Sequence, residues 1–440
     1  MSTRLEAALR PVPNGGVAGV MIYDVTRSEV VYERDAHRLM SIASLTKALV
    51  AAAALWELGS EVAFRTRLVA LGPIVDGTVA GLGVIGGGSP CLDEHFSQRD
   101  PDRFFTEWAA AARARGVQRV DGDLVIDARL FSGPIRPATY PQDADNLSRW
   151  YSAPASAFAW NDNCISVRVV PTRPGEACRI ETRPRSPRIS VRNLTKTVGK
   201  KADNGIRVTR AADDNALTVS GTYSKTTAWF DLAIHADPDL LAGDHLKAVL
   251  ADAGIAVSGT VRLGTVTPVG EDLVDLRQPL VPALAILNQR SQNFYGEQLL
   301  RLLGARREHE GSIAAGSRAL ATILAENVPG AVDGAAIIDG SGLSYGNRAT
   351  AAFVIATLAA MHGSPHRRVF YESLKLEDDV KPPARVKTGT LAIASCLAGY
   401  IDRPDGNRWA FAILLNKGDA GAFGWASGVR VATLKAIAAP

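Results

Sequence analysis

From about Phe64 to Asp275 the chain breaks into short apolar runs cut by Gly, Pro and Asp, while helical spacing frames that stretch on both sides. This change of texture limits the fold more than any other feature of the sequence. Within the stretch, Asp123–Asp127, Ile165–Val170, Leu217–Ser220 and Ala256–Leu263 read as strands, because short apolar runs bounded by turn formers suit a pleated, half-buried surface. Before it, Gly19–Val25 and Val30–Glu33 read as a hairpin. A helix follows, in which Leu45, Ala48, Leu49, Ala52, Leu55 and Trp56 keep the i, i+3, i+4 spacing up to Gly59. After it, Pro282–Gln289, Asn293–Leu303, Ile313–Glu326 and Thr350–Met361 read as helices, with Gly304, Pro329 and Gly363 as stops. Ser395–Ile401 and Trp409–Leu415 form a second hairpin across Arg403-Pro404-Asp405-Gly406, and Trp425–Ile437 is a last helix.

Hairpins and helices at both chain ends predict one discontinuous α+β domain, residues 1–64 with 276–440, in which helices flank an antiparallel sheet. Residues 65–275 are then an inserted β-rich region of one or two accessory domains. A chain of 440 residues accommodates this, at about 150 residues per domain.

Composition narrows the function. With 47% hydrophobic and 21% charged residues the chain is globular, and a net charge of +4 is too small at this length to indicate nucleic acid as a partner. The basic residues do cluster: between Arg173 and Arg210, eleven basic residues face three acidic ones, Glu176, Glu181 and Asp203. A solvated β face is the ordinary reading of that run, and attraction to an acidic polymer such as cell-wall material is the sharper one. Cys91, Cys164, Cys178 and Cys396 have no C-x-x-C spacing, so zinc and thioredoxin-like readings have no support. Cys164 and Cys178 flank a hairpin-like stretch, which leaves a cross-strand disulfide and buried thiols both open. The N-terminus has no apolar signal-peptide core, and no run of apolar residues is long enough to span a membrane.

Three short elements carry chemistry. Ser44-Leu45-Thr46-Lys47 opens the first long helix, and i, i+3 spacing sets hydroxyl and amine on one face. A lysine with a depressed pKa can serve as base to such a serine. Ser291-Gln292-Asn293 sits between two predicted helices, where Ser291 suits a proton relay and Asn293 a substrate carbonyl; as an isolated feature it is an ordinary helix cap. Lys387-Thr388-Gly389-Thr390 lies in a strand-like setting beside the last hairpin. There Gly389 lets an extended peptide approach the strand edge, and Lys387, Thr388 and Thr390 can meet a terminal carboxylate. Each element alone is common. No G-x-S-x-G, H-E-x-x-H or phosphate-binding glycine loop competes with them.

In this order the three resemble the S-x-x-K, S-D-N and K-T-G set of serine β-lactamases and penicillin-binding proteins, with Gln292 in place of Asp. More than half the chain separates Lys47 from Ser291, and that interval resembles the low-molecular-mass penicillin-binding proteins of the D-alanyl-D-alanine carboxypeptidase and endopeptidase type. Gly86-Gly87-Gly88-Ser89-Pro90, Tyr151-Ser152-Ala153-Pro154, Asp339-Gly340-Ser341-Gly342-Leu343-Ser344 and Leu397-Ala398-Gly399-Tyr400 extend the likeness. The family's Asp-Gly-Thr-Leu segment before the third motif is replaced here by the unlike stretch Leu374–Pro383. The resemblance implies a β-lactamase/transpeptidase-like fold and a serine D,D-peptidase acting on peptidoglycan stem peptides through an acyl-enzyme on Ser44. Lys47 would be its base and Ser291 its proton relay. Asn293, Lys387, Thr388, Gly389 and Thr390 would bind substrate, and the backbone N–H groups of Ser44 and Thr390 would hold the oxyanion. It further implies no cofactor and no metal, β-lactams as covalent inhibitors, and a periplasmic or otherwise extracytoplasmic location. A β-lactamase or esterase of the same superfamily, or a non-catalytic cell-wall-binding scaffold, would carry the same elements.

Overall fold

The computed structural model describes residues 1–199, 205, 207–211, 214–268, 270, 272–328 and 334–439. Pro329, one of the expected helix stops, and Lys200, Lys201 and Asp203 of the basic run lie outside the described residues. The chain divides into two compact units. One comprises Met1–Val62, Pro137–Tyr140 and Pro279–Pro440, and the other Ala63–Arg136 and Pro141–Gln278. The short return at Pro137–Tyr140 has no counterpart in the two-segment division drawn from the sequence.

The first unit is built on a six-stranded antiparallel sheet in the order Glu29–Arg34, Val17–Asp24, Arg408–Asn416, Ala394–Asp402, Ala384–Leu391, Lys375–Glu377. Both expected hairpins are therefore neighbours in one sheet, and the architecture is α+β. Residues two apart share a face of a strand, and here that period divides the strands cleanly. Val20, Ile22, Val386, Leu397, Ile413 and Leu415 turn to one side, where the helices Ser2–Leu9 and Trp425–Ala438 cover them with Leu5, Leu9, Val429, Leu434 and Ile437. Alternate residues, including Lys387 and Gly389, belong to the other face.

Helix Thr46–Leu58 is buried at every position from Thr46 to Leu55, as expected of a helix that is apolar all round. It packs against helices Leu280–Gln289, Asn293–Arg307, Ile313–Asn327 and Ala351–Gly363. Ser312 and Thr350 cap the last two by accepting from the N–H groups of Ala315 and Phe353, at 3.1 and 2.9 Å. Gly304 is not a stop: its helix continues to Arg307. A Cβ at Gly304 would lie 2.6 Å from the Gly316 nitrogen, and one at Gly316 would lie 2.3 Å from the Leu300 carbonyl oxygen. These two glycines let helix backbones meet, which is why a residue that reads as a terminator sits in mid-helix.

The second unit is less uniformly β than its sequence suggests. A five-stranded sheet carries helices Arg103–Ala114 and Pro238–Asp252 against a core that includes Phe105, Trp108, Phe158, Trp160, Leu246 and Leu250. Helix Arg103–Ala114 buries Phe105, Trp108, Ala109 and Ala112 on one face, an i, i+3, i+4, i+7 signal that the β-rich reading passes over, whereas buried polar residues, Asp244 and His245, interrupt the periodicity of Pro238–Asp252. His245 Nε2 lies 2.8 Å from an Asp102 carboxylate oxygen. A separate core, with Ile165, Val167, Val169, Leu217, Val219 and Tyr223, lies among the strands of two three-stranded sheets. All four cysteines are buried free thiols, so Cys164 and Cys178 form no bridge. In the basic run Arg179, Arg185 and Arg188 pair with Glu181, Asp252 and Asp244, while Arg173, Arg192, Lys196 and Arg207 are exposed.

The glycine contact yields a stability prediction. Gly316→Ala forces a methyl group against the Leu300 carbonyl and should destabilise the protein by about 1 to 3 kcal/mol, measured as a lowered denaturant midpoint at unchanged slope.

Candidate active site

Strand Met40–Ser41 leads into a tight turn in which Ala43 has φ +47°, and a single 3₁₀ turn, Ala43–Leu45, feeds helix Thr46–Leu58. A left-handed alanine is uncommon and persists only where its surroundings hold it. Two glycines do so. A Cβ at Gly342, whose φ is +79°, would lie 2.1 Å from the Ala43 carbonyl oxygen, and one at Gly389 would lie 2.6 Å from the Ile42 carbonyl oxygen and 3.1 Å from the Ser44 nitrogen. Ser44 is thereby fixed at the mouth of the helix, partly open, with Lys47 one turn on and fully buried.

Lys47 Nζ donates to Ser44 Oγ at 2.8 Å and to the Ser341 carbonyl oxygen. Burial pulls the Lys47 pKa down to about 7, against the opposing pull of the Asp339 and Glu297 carboxyl groups. Near neutral pH a substantial fraction of Lys47 is thus a free amine in contact with a serine hydroxyl, which is the arrangement for taking up the serine proton.

Ser291 follows helix Leu280–Gln289 with φ +57°, and Asn293, buried, begins the next helix. Lys387 Nζ donates to Ser291 Oγ at 2.8 Å and to the Thr388 carbonyl oxygen at 2.9 Å. Lys387 is itself 1% exposed, and burial, then the nearby Lys47, hold its pKa well below that of an ordinary lysine. Strand Ala384–Leu391 pairs along its whole length with Ala394–Asp402, but on its outer edge only Ala384 to Val386 pair, with Glu377 to Lys375. Among the described residues no strand covers that edge from Lys387 onward. Thr388 is half-buried and Thr390 exposed along it.

A buried polar layer underlies the two lysines. Asp339 accepts from the N–H groups of Ser341, Gly342 and Ser344 and from Asn347 Nδ2, at 3.1, 2.6, 2.9 and 2.6 Å. Glu297 accepts from Tyr140 Oη and from the N–H groups of Gly340 and Ser341.

The structure therefore joins Ser44 to Lys47 and Ser291 to Lys387 by direct hydrogen bonds, and seats Gly389 against the Ser44 turn. Asn293 begins the helix that follows Ser291, and Thr388 and Thr390 lie along the Lys387 strand. Tyr140, Glu297, Asp339 and Ser341 were not picked out as site residues. For Glu297 a signal was present, since it is i+4 from Asn293 on one helix face. Tyr140 had none, because only the tertiary fold returns that segment to the first unit.

A model of the D-Ala-D-Ala carboxypeptidase 3 (S13) family matches residues 1–429. The chain is 29% identical over 447 residues to the D-alanyl-D-alanine carboxypeptidase of Actinomadura sp. (strain R39), covering 93% of this chain and 79% of that protein. It is 23% identical over 432 residues to D-alanyl-D-alanine carboxypeptidase DacB of Haemophilus influenzae, covering 92% and 86%. Its fold matches the crystal structure of penicillin binding protein 4 (dacB) from Haemophilus influenzae with a TM-score of 0.80 at 21% identity, over 98% of each chain.

Burial of Lys47 has a thermodynamic signature. The folded pKa of about 7 lies below the unfolded value of 10.5, so the unfolded chain binds the extra proton between these limits and stability rises with pH there. Below about 7 the penalty on the charged amine is complete. Lys47→Met should therefore gain stability over the native chain most strongly at and below that pH. The advantage should shrink as pH rises to about 9, checked by denaturant unfolding across the range.

Proposed function

The chain belongs to the D-Ala-D-Ala carboxypeptidase 3 (S13) family, and on that premise we propose that Ser44 is the nucleophile and Lys47 the base of its peptidase reaction. The chain is a serine D,D-peptidase, and its substrates are the D-alanyl ends and cross-links of peptidoglycan peptides. The observation that carries the assignment is the 2.8 Å contact between Ser44 Oγ and a fully buried Lys47 Nζ.

Lys47 takes the hydroxyl proton as Ser44 Oγ attacks the penultimate D-Ala carbonyl carbon. The C–N bond then breaks, and the leaving amine receives a proton through Ser291, whose Oγ is hydrogen-bonded to Lys387 Nζ at 2.8 Å. Water attacks the resulting ester and frees Ser44. The backbone N–H groups of Ser44 and Thr390 are the proposed oxyanion donors. The close seating of Gly389 on the Ser44 nitrogen supports that role, because it draws the two segments together. A peptide laid along the free edge from Lys387 to Leu391 would extend the sheet by main-chain hydrogen bonds, with Asn293 toward its carbonyl and Thr388 and Thr390 toward its terminal carboxylate. That carboxylate would supply the counter-charge that buried Lys387 lacks among the described residues. β-Lactams, as acylating analogues of such an end, are expected to modify the same serine. The site of action proposed is extracytoplasmic, where this polymer lies; among the described residues no helix is long and apolar enough to cross a membrane.

Two experiments test the assignment. Intact-mass measurement with benzylpenicillin should reveal an adduct on the native protein, and an equal yield of adduct in Ser44→Ala would remove Ser44 from its role. For Lys387, a charge-assisted contact of roughly 1.5 to 3 kcal/mol means that Lys387→Ala should lower kcat/KM on a D-Ala-D-Ala peptide by about tenfold to a few hundredfold. A neutral ester or amide of the same peptide should suffer far less, and equal losses on both substrates would exclude carboxylate recognition.

A further inference from the structure

Glu297 is 2% exposed, and none of the steps above uses it. Its Oε1 accepts three hydrogen bonds, from the Tyr140 hydroxyl at 3.0 Å, the Gly340 N–H at 3.1 Å and the Ser341 N–H at 2.9 Å. Its Oε2 is equally buried and has no hydrogen-bond partner among the described residues. A carboxylate held only for structure would satisfy both oxygens, since an unpaired buried charge is costly.

Ser341 connects this carboxyl group to the reacting pair. Its N–H is on Glu297, its Oγ is 2.9 Å from the Tyr140 hydroxyl, and its carbonyl oxygen accepts from Lys47 Nζ. The backbones on either side permit no slack: a Cβ at Gly296 would lie 2.4 Å from the Gly340 carbonyl oxygen, and one at Gly340 would lie 2.1 Å from that of Gly296. The helix carrying Glu297 and the loop carrying Ser341 are therefore locked in direct backbone contact.

We propose that Glu297 is a positioning residue for Lys47: through Tyr140 and Ser341 it holds the Ser341 carbonyl on the amine, and its negative charge governs how readily that amine gives up its proton. The inference rests on the reading of Ser44 as nucleophile and Lys47 as base. The ionisable groups around the pair are few. Asp339 comes from the Ser341 loop, Tyr140 from the Pro137–Tyr140 return, and Lys387 from its strand by way of Lys47. Burial, then the Asp339 carboxylate, raises the Glu297 pKa to about 7, the value to which Lys47 is lowered, so both groups change charge in one pH range. An ionised Glu297 favours the ammonium form of Lys47, and a neutral one favours the amine.

Glu297→Gln keeps an acceptor for all three donors and cannot ionise. The second-order rate constant for acylation by benzylpenicillin should be measured from about pH 5 to about pH 9 for the native enzyme, Glu297→Gln and Tyr140→Phe, with intact mass recorded throughout. Without the Glu297 charge the Lys47 amine persists to lower pH, so the acid limb should move downward. At the native midpoint, where about half of Glu297 is ionised, the Glu297→Gln rate relative to its own plateau should be roughly 1.5- to twofold above native, and the limbs should converge about one unit and more below it, where Glu297 is neutral in the native chain as well. Tyr140→Phe removes a donor that favours ionised Glu297, so its limb should move the same way by less. If Glu297→Gln does not fold, Tyr140→Phe decides alone. Limbs that coincide with the native one, or that move to higher pH, overturn the inference even if the plateaus fall. No adduct on native Ser44 overturns the acylation reading itself, and the mass record separates that failure from the other.

Discussion

Taking the Lys47 amine out of water disfavours its charged form, and the surroundings of that one side chain organise the candidate site. Two acceptors, Ser44 Oγ and the Ser341 carbonyl oxygen, replace its hydration. Two buried carboxyl groups, Asp339 and Glu297, oppose the loss of charge without cancelling it. A lysine left in water would stay protonated at neutral pH and could not serve as a base. One buried without acceptors or counter-charge would be a large cost to the fold. The site lies between these limits, and each neighbour of Lys47 contributes to keeping it there.

Such a layer works only if its parts are close, and backbone contact achieves this where side chains would keep them apart. Gly342 and Gly389 bring two segments onto the Ser44 turn, while Gly296 and Gly340 bring a helix onto a loop at distances no Cβ allows. The left-handed Ala43 is held in the same way, by packing that outweighs its local preference. The resulting rigidity is what electrostatic catalysis requires, because donors already in place need not reorganise as charge develops. The strand bearing Lys387 meets a different need. One edge is bound to the sheet, and from Lys387 onward no strand covers the other among the described residues.

Family membership and the long likeness to D-alanyl-D-alanine carboxypeptidases extend over the second unit as well as the first. The second unit has hydrophobic cores of its own and supplies none of the Ser44, Lys47, Ser291 or Lys387 groups. Its basic segment is less free than its composition suggests, since Arg185 and Arg188 are held by Asp252 and Asp244.

The sequence by itself determined the parts governed by short-range rules. The two hairpins, the helices with unbroken apolar spacing, and the i, i+3 relation of Ser44 to Lys47 all follow from periods of two and about 3.6 residues. The order of three short motifs carried the family. Where local signals conflicted with packing, the sequence misled: Gly304 reads as a stop and is a helix contact, and Pro238–Asp252 hides its apolar face behind the buried Asp244 and His245. Only the tertiary structure decided that Tyr140 joins Glu297 and Ser341, that Lys387 meets Ser291, and that burial pulls the Lys47 amine down to about 7. Each of these depends on burial and on distances between residues far apart in the chain, which no local pattern encodes.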